Sequence, residues 1–267
     1  MKSNSNPSIT RQLLRKTFFP TAYRLQIMLG VKPRGVCLIT GCPRSGTAAV
    51  LKWIGMHEQV RAFEESRLLM SMHRFADEVE KFHDLYANRI VLIDMIRKFF
   101  YTYRERHNIL WRKQVVEKEP LEPIAFPDKR YREFLENLRT IFPDIKLLFM
   151  LRDPIETIWS MRQRQWGYSL KSKELREFSL EECIDTWMVN ADIICEYASD
   201  SNVYICRFER LIKNAVDESR RITNFLSIRD ADPFVPKQTS IPAFSNNERE
   251  LILRKTQLQR ARFARTL

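Results

Sequence analysis

Residues 41–47, Gly-Cys-Pro-Arg-Ser-Gly-Thr, stand between two segments of different periodicity. Before them runs GVCLITG (35–41), short, apolar and rich in β-branched residues, the pattern of a buried strand. After them SGTAAVLKWIGM (45–56) carries apolar residues at helical spacing. A strand, a glycine turn and a helix in that order open a nucleotide-binding α/β fold, and few other folds accept them. The loop amides and the first helical turn, through Thr47 and Ala48, form a nest for an anion, to which the helix dipole adds attraction. Gly41 and Gly46 let the backbone approach phosphate oxygens. Ser45 and Thr47 carry hydroxyl donors, and Arg44 brings a forked positive charge.

The glycine spacing is that of the ATP- and GTP-binding pattern GxxxxGK[ST]. Here, however, Thr47 stands at the lysine position and Ala48 at the position of the magnesium-binding hydroxyl. The loop is therefore equipped to hold phosphate and poorly equipped for phosphoryl transfer, which argues against a kinase or NTPase.

The remaining segments alternate. Gln114–Glu117, ending at Lys118, Lys146–Leu151 and Val203–Arg207 read as strands. Helices are expected over most of 67–110, over 129–142, from Pro154 through Arg164, over 179–200, near 214–227 and near 246–265. This order predicts one α/β domain of the P-loop type, a mainly parallel sheet flanked by helices. The domain spans 35–230, with a helical insert at about 66–113. A basic helical segment (1–34) precedes it, and a C-terminal loop and helical extension (231–267) follow.

Composition narrows the partners. Against 33 acidic residues stand 45 Lys and Arg, a net charge of +12, which favours anionic ligands or a solvated basic surface. No nucleic-acid-binding motif accompanies the charge, so a basic nucleic-acid module is the weaker alternative. The five cysteines show no metal-ligand or CxxC spacing, and no cluster of His, Cys or acidic residues is spaced for a metal. A reducing, cytoplasmic setting is the expectation. Residues 1–34 lack a long apolar run. They suit a basic amphipathic helix that packs on the domain or lies on a membrane surface.

The loop Gly41–Thr47 resembles the GxPRSGT element of the PAPS-dependent sulfotransferases, where PAPS is 3′-phosphoadenosine 5′-phosphosulfate. Arg152-Asp153-Pro154 with Ser160 resembles a second element of that family. Lys118-Glu119-Pro120 resembles a third, and Arg207-Phe208-Glu209-Arg210-Leu211 a fourth. Glu64-Glu65-Ser66, placed 20 residues after Arg44, is similar to the Glu-Glu-Thr of protein-tyrosine sulfotransferases. The resemblance implies PAPS as donor, PAP as product and no metal. It implies Arg44 and loop residues 45–48 on the 5′-phosphosulfate, and Arg152 and Ser160 on the 3′-phosphate. Arg164, Phe208, Lys237 and Ser240 become further candidates for cofactor contact. Glu65 is implied as general base, with Arg44 and Lys118 neutralising charge at the reacting group.

Glu64, His57, His73, His83 and His107 are rival bases, and His57 is placed for capping. The insert carries Phe75, Phe82, Tyr86, Phe99, Phe100, Tyr101, Tyr103 and Trp111, which could shape an acceptor cleft or pack a core. The acceptor is expected to be a hydroxyl compound: a saccharide first, a protein tyrosine second, with a small molecule as the remaining alternative.

Overall fold

The computed structural model describes residues 35–80, 93–101, 113–122, 130–163, 167–168, 175–236 and 242–266. The N-terminal segment, His83, His107, Arg164, Lys237 and Ser240 lie outside the described residues, as do Phe82, Tyr86, Tyr103 and Trp111.

Strand β1 (Gly35–Gly41) is central, because all of it but Gly35 is buried. It pairs in parallel with β3 (Gln114–Lys118) on one side and β4 (Lys146–Leu151) on the other. Strands β2 (Val60–Glu64) and β7 (Val203–Arg207) complete a five-stranded sheet of order β2-β3-β1-β4-β7, parallel throughout. A separate antiparallel pair, β5 (Gly167–Tyr168) and β6 (Leu175–Arg176), was not predicted.

Alternation along the strands sorts the core into two faces. Leu38, Leu147, Phe149 and Leu151 face helices α3 (Tyr131–Ile141), α4 (Pro154–Arg162) and α5 (Leu180–Glu196). Cys37, Ile39, Leu148 and Met150 face α1 (Thr47–Ile54) and α7 (Ala215–Leu226). The buried thiols of Cys37 and Cys206 are small core side chains, and burial pushes Cys37 up to about 12.

The insert contributes α2 (Leu68–Glu80) and a helical stretch over 93–101. Phe100 is wholly buried against Phe142, whereas Phe75 and Phe99 are exposed.

Three local readings are corrected. β2 was missed, because an edge strand reading Val-Arg-Ala-Phe-Glu buries only its first residue. A short helix α6 (Phe208–Lys213) follows β7 at once, where no helix was predicted. The C-terminal helix is two helices, α8 (Asn246–Lys255) and α9 (Gln257–Thr266), parted at buried Thr256, whose hydroxyl donates to the Ile252 carbonyl at 2.8 Å. Among the described residues no helix is long and apolar enough to cross a membrane.

Candidate active site

In a parallel sheet, ligands bind at the carboxyl ends of the strands, where two neighbouring strands send their following helices to opposite faces. That place lies between β1 and β4. The chain leaves β1 for α1, whose Val50 and Ile54 pack on one face. It leaves β4 for α4, whose Ile158 and Met161 pack on the other. The crevice between these two exits receives Arg44 from one side and Arg152 and Ser160 from the other.

The loop after β1 is built for close approach. Gly41 has φ +124°, and a Cβ there would lie 2.5 Å from the Met150 carbonyl oxygen. Gly46 has φ +103° and packs on the Phe208 ring. Arg44 itself is left-handed at φ 67°. Gly46 caps α1 without a side-chain hydrogen bond, so the helix start faces the crevice with its own amides. Ser45 is fully buried, and its hydroxyl donates to the Cys42 carbonyl at 2.7 Å. It shapes the turn from inside. Thr47 is buried and Ala48 exposed.

The two predicted halves of the site meet. Arg44 Nε donates to Ser160 Oγ at 3.0 Å across 116 residues of sequence. Arg152 Nη1 donates to the Arg44 carbonyl at 3.3 Å, and its guanidinium lies 4.9 Å from the Phe208 ring centre. Both other Arg152 donors reach Glu156 Oε2, at 2.9 and 2.6 Å. This i, i+4 pair could have been read from the helical spacing. Asp153 is a helix cap rather than a partner of Arg152: its carboxylate accepts from the Ile155 and Glu156 amides at 2.8 and 3.3 Å. Phe208 is 6% exposed, so its ring supports the Gly46 turn and the Arg152 guanidinium from within the core.

Lys118 ends β3 beside this crevice. Its segment is stitched to β1, with the Glu119 amide donating to the Ile39 carbonyl and the Leu121 amide to Gly41. The ammonium, 4% exposed, lies 2.5 Å from Glu65 Oε1 and 3.2 Å from Glu64 Oε1. Glu65 stands at the end of the strand that went unpredicted. Its amide donates to the Lys118 carbonyl, and its φ is 40°. The next residue, Ser66, donates its hydroxyl to Glu117, a buried carboxylate on β3, at 3.0 Å. The turn carrying Glu65 is thus held to β3 at both its ends.

Two further acids near Glu65 escaped the sequence reading. Burial pushes the Glu119 carboxyl up to about 7, with Glu122 and Glu65 adding repulsion. Glu122 is likewise raised to about 7 by burial and then by Glu65, with Arg67 opposing. The described rival histidines are committed elsewhere. His57 Nδ1 accepts from the Gln59 amide at 3.0 Å, and His73 is buried, 2.9 Å from Asn137. Among the described residues no group of His, Cys, Asp and Glu could hold a metal ion.

Chemically, the crevice joins forked cations, loop amides and a hydroxyl, a set suited to phosphate and sulfate oxygens, to a partly exposed carboxylate steadied by an ammonium. Known proteins share this fold. A sulfotransferase crystal structure from Alicyclobacillus acidocaldarius superposes with TM-score 0.55 at 18% identity, covering 86% of this chain and 94% of that one. One from Mycobacterium avium gives 0.53 at 12% identity, covering 93% and 81%. Protein-tyrosine sulfotransferase A of Caenorhabditis elegans is 25% identical over 205 residues, which are 71% of this chain and 49% of that protein. The protein-tyrosine sulfotransferase of Drosophila melanogaster is 22% identical over 260 residues, 90% and 49% respectively. The chain therefore spans about half the length of these curated relatives. The family model described as "Sulfotransferase family" matches residues 37–232, from the first strand past the last, and the chain belongs to that family.

Proposed function

We propose that this protein transfers a sulfuryl group from PAPS to a hydroxyl, and that the acceptor is a tyrosine side chain. The observation that carries the reading is the Arg44–Ser160 hydrogen bond, which joins the loop after β1 to the helix after β4. Similarity to two protein-tyrosine sulfotransferases supports tyrosine ahead of the saccharide expected from charge.

In this reading the amides of 44–48 and Arg44 hold the 5′-phosphosulfate, while Arg152 and Ser160 hold the 3′-phosphate. Arg164 and Lys237 are further candidates for the same contacts. The fit is good: two guanidiniums and a hydroxyl share one crevice, and the glycine turn leaves room for phosphate oxygens. Bound PAPS supplies the activated sulfuryl group. Arg152 can exchange Glu156 for an incoming phosphate, because the Glu156 side chain is 39% exposed and returns readily to solvent. Glu65, 45% exposed, is open to an acceptor hydroxyl and takes its proton as attack begins. Lys118 has three donors. It orients Glu65 Oε1 and still faces oxygens that gain charge.

The test is transfer from labelled PAPS to a tyrosine peptide, a saccharide and a simple phenol, with thermal shifts recorded for PAP and for ATP–Mg²⁺. Transfer to the peptide is expected, with a loss of about 10²–10⁴-fold in Glu65→Gln, while PAP still raises its melting temperature. Arg44→Ala should lose both transfer and the PAP shift. Stabilisation by ATP–Mg²⁺ and not by PAP would sink the reading.

A further inference from the structure

Successive side chains on a strand leave on opposite faces, and the last two of β3 both hold the turn that carries Glu65. Val115 belongs to the core on the α3–α5 face, and Val116 to the core on the face of α1 and α7. By that alternation Glu117 points to the first face and Lys118 to the second. Lys118 Nζ reaches Glu65 Oε1 at 2.5 Å, while Glu117 Oε2 accepts from the Ser66 hydroxyl at 3.0 Å. The turn is gripped from both faces of the strand.

Glu117 takes no part in the transfer chemistry, yet it is 2% exposed and lies in register between Leu38 of β1 and Phe63 of β2. A carboxylate is costly to bury among apolar neighbours. The turn it holds is strained as well. Glu65 and Arg67, on either side of Ser66, have φ values of 40° and 53°. Left-handed backbone at two such residues persists only where the surroundings over-determine it. Ser66 supplies that constraint: its hydroxyl donates to Glu117 and accepts from the Leu68 amide, at the start of α2, at 3.3 Å. Lys118 cannot do this alone. An ammonium is a point charge that fixes one carboxylate oxygen without fixing where the other is aimed.

We propose that Glu117 and Ser66 are positioning residues for the Glu65 general base. Their hydrogen bond sets the backbone from which the second Glu65 oxygen is aimed at the acceptor hydroxyl. The inference rests on Glu65 acting as base in the transfer proposed above.

The test is steady-state transfer by the full chain from labelled PAPS, with the best of the peptide, saccharide and phenol acceptors. Misplacing a reacting group by about 1 Å costs about 10²-fold, so Ser66→Ala and Glu117→Leu should each lower kcat about 10- to 100-fold. KM for PAPS and the thermal shift with PAP should not change, because the phosphate crevice lies between β1 and β4. The double variant should lose no more than the worse single variant. Ser66→Thr and Glu117→Gln keep a hydroxyl and an acceptor oxygen, and should recover most of the rate. Amide exchange reads the turn without turnover. The Glu65 amide, which donates to the Lys118 carbonyl at 3.1 Å, should exchange faster in both loss variants, with β1 amides unaffected. Should Glu117→Leu melt early, the Ser66 variants decide the case, since that position is exposed. Unchanged kcat in Ser66→Ala, a folded Glu117→Leu with full kcat, or losses that multiply in the double variant would overturn the positioning role and leave the proposed function standing. A wild type that transfers to none of the acceptors would sink both.

Discussion

Gly46→Ala isolates the physical basis of the loop. Two costs add. At φ +103° a side chain is strained by about 1–3 kcal/mol. The new methyl would also lie 2.5 Å from Phe208 Cδ2 and 2.6 Å from Cε2. That ring is buried between the turn and the Arg152 guanidinium, so it cannot swing into solvent, and forcing one methyl into a packed core costs about 1–3 kcal/mol more. The sum, about 2–6 kcal/mol, is a large share of the 5–15 kcal/mol that holds a typical domain together. Urea denaturation of wild type, Gly46→Ala, Phe208→Val and the double variant separates the two terms. Valine removes both clashing ring carbons, so the double variant should recover about 1–3 kcal/mol of coupling and keep the backbone cost. PAP binding should fail in Gly46→Ala at concentrations where the protein is still folded. A Gly46→Ala variant within about 0.5 kcal/mol of wild type, or additive losses in the double variant, would refute the account.

Three other outcomes follow from the charges around this crevice. Glu119 folds most readily as the neutral acid, so the native state takes up a proton between the ordinary carboxyl value of 4.5 and about 7. Stability falls as pH rises through that window, and Glu119→Gln should flatten the fall and gain about 1–3 kcal/mol at pH 8, measured as the pH dependence of the denaturation midpoint. Lys118→Met should abolish transfer yet change stability by less than about 1–2 kcal/mol, because it replaces a desolvated ammonium with an apolar chain, while Glu64 and Glu65 are exposed enough to be hydrated instead. Loss of several kcal/mol in a melt of that variant would contradict this. Ser160→Ala removes one hydroxyl from the Arg44 contact, so PAP affinity measured by calorimetry should fall about tenfold or more while the melting temperature hardly moves.

Interior elements were legible because their patterns are local. Lys146–Leu151 is five buried residues behind one half-buried lysine, and no polar position interrupts the run. Asp153 and Pro154 announce α4 by cap and first-turn chemistry. β2 was not legible, since an edge strand buries little and its Phe63 and Glu64 reverse the alternation that Val60, Arg61 and Ala62 begin. With β2 hidden, Glu65 could be reached only through a resemblance, and its contact with Lys118, 53 residues away, could not be foreseen. Ser45 was expected to offer its hydroxyl to phosphate. Its hydroxyl turns to Cys42, three residues back, a choice that the bend of the loop decides.

By itself the sequence determined the strand–loop–helix at 35–54, the parallel α/β class and the residue types gathered for an anion, since these depend on periodicity and on the backbone freedom of glycine. Only the tertiary structure decided which residues meet: Arg44 with Ser160, Lys118 with Glu65, and Phe208 beneath Gly46. The reason is the order of the strands. Pairing β1 with both β3 and β4 sets side by side loops that the chain itself keeps roughly a hundred residues apart, and no local pattern encodes that neighbour relation.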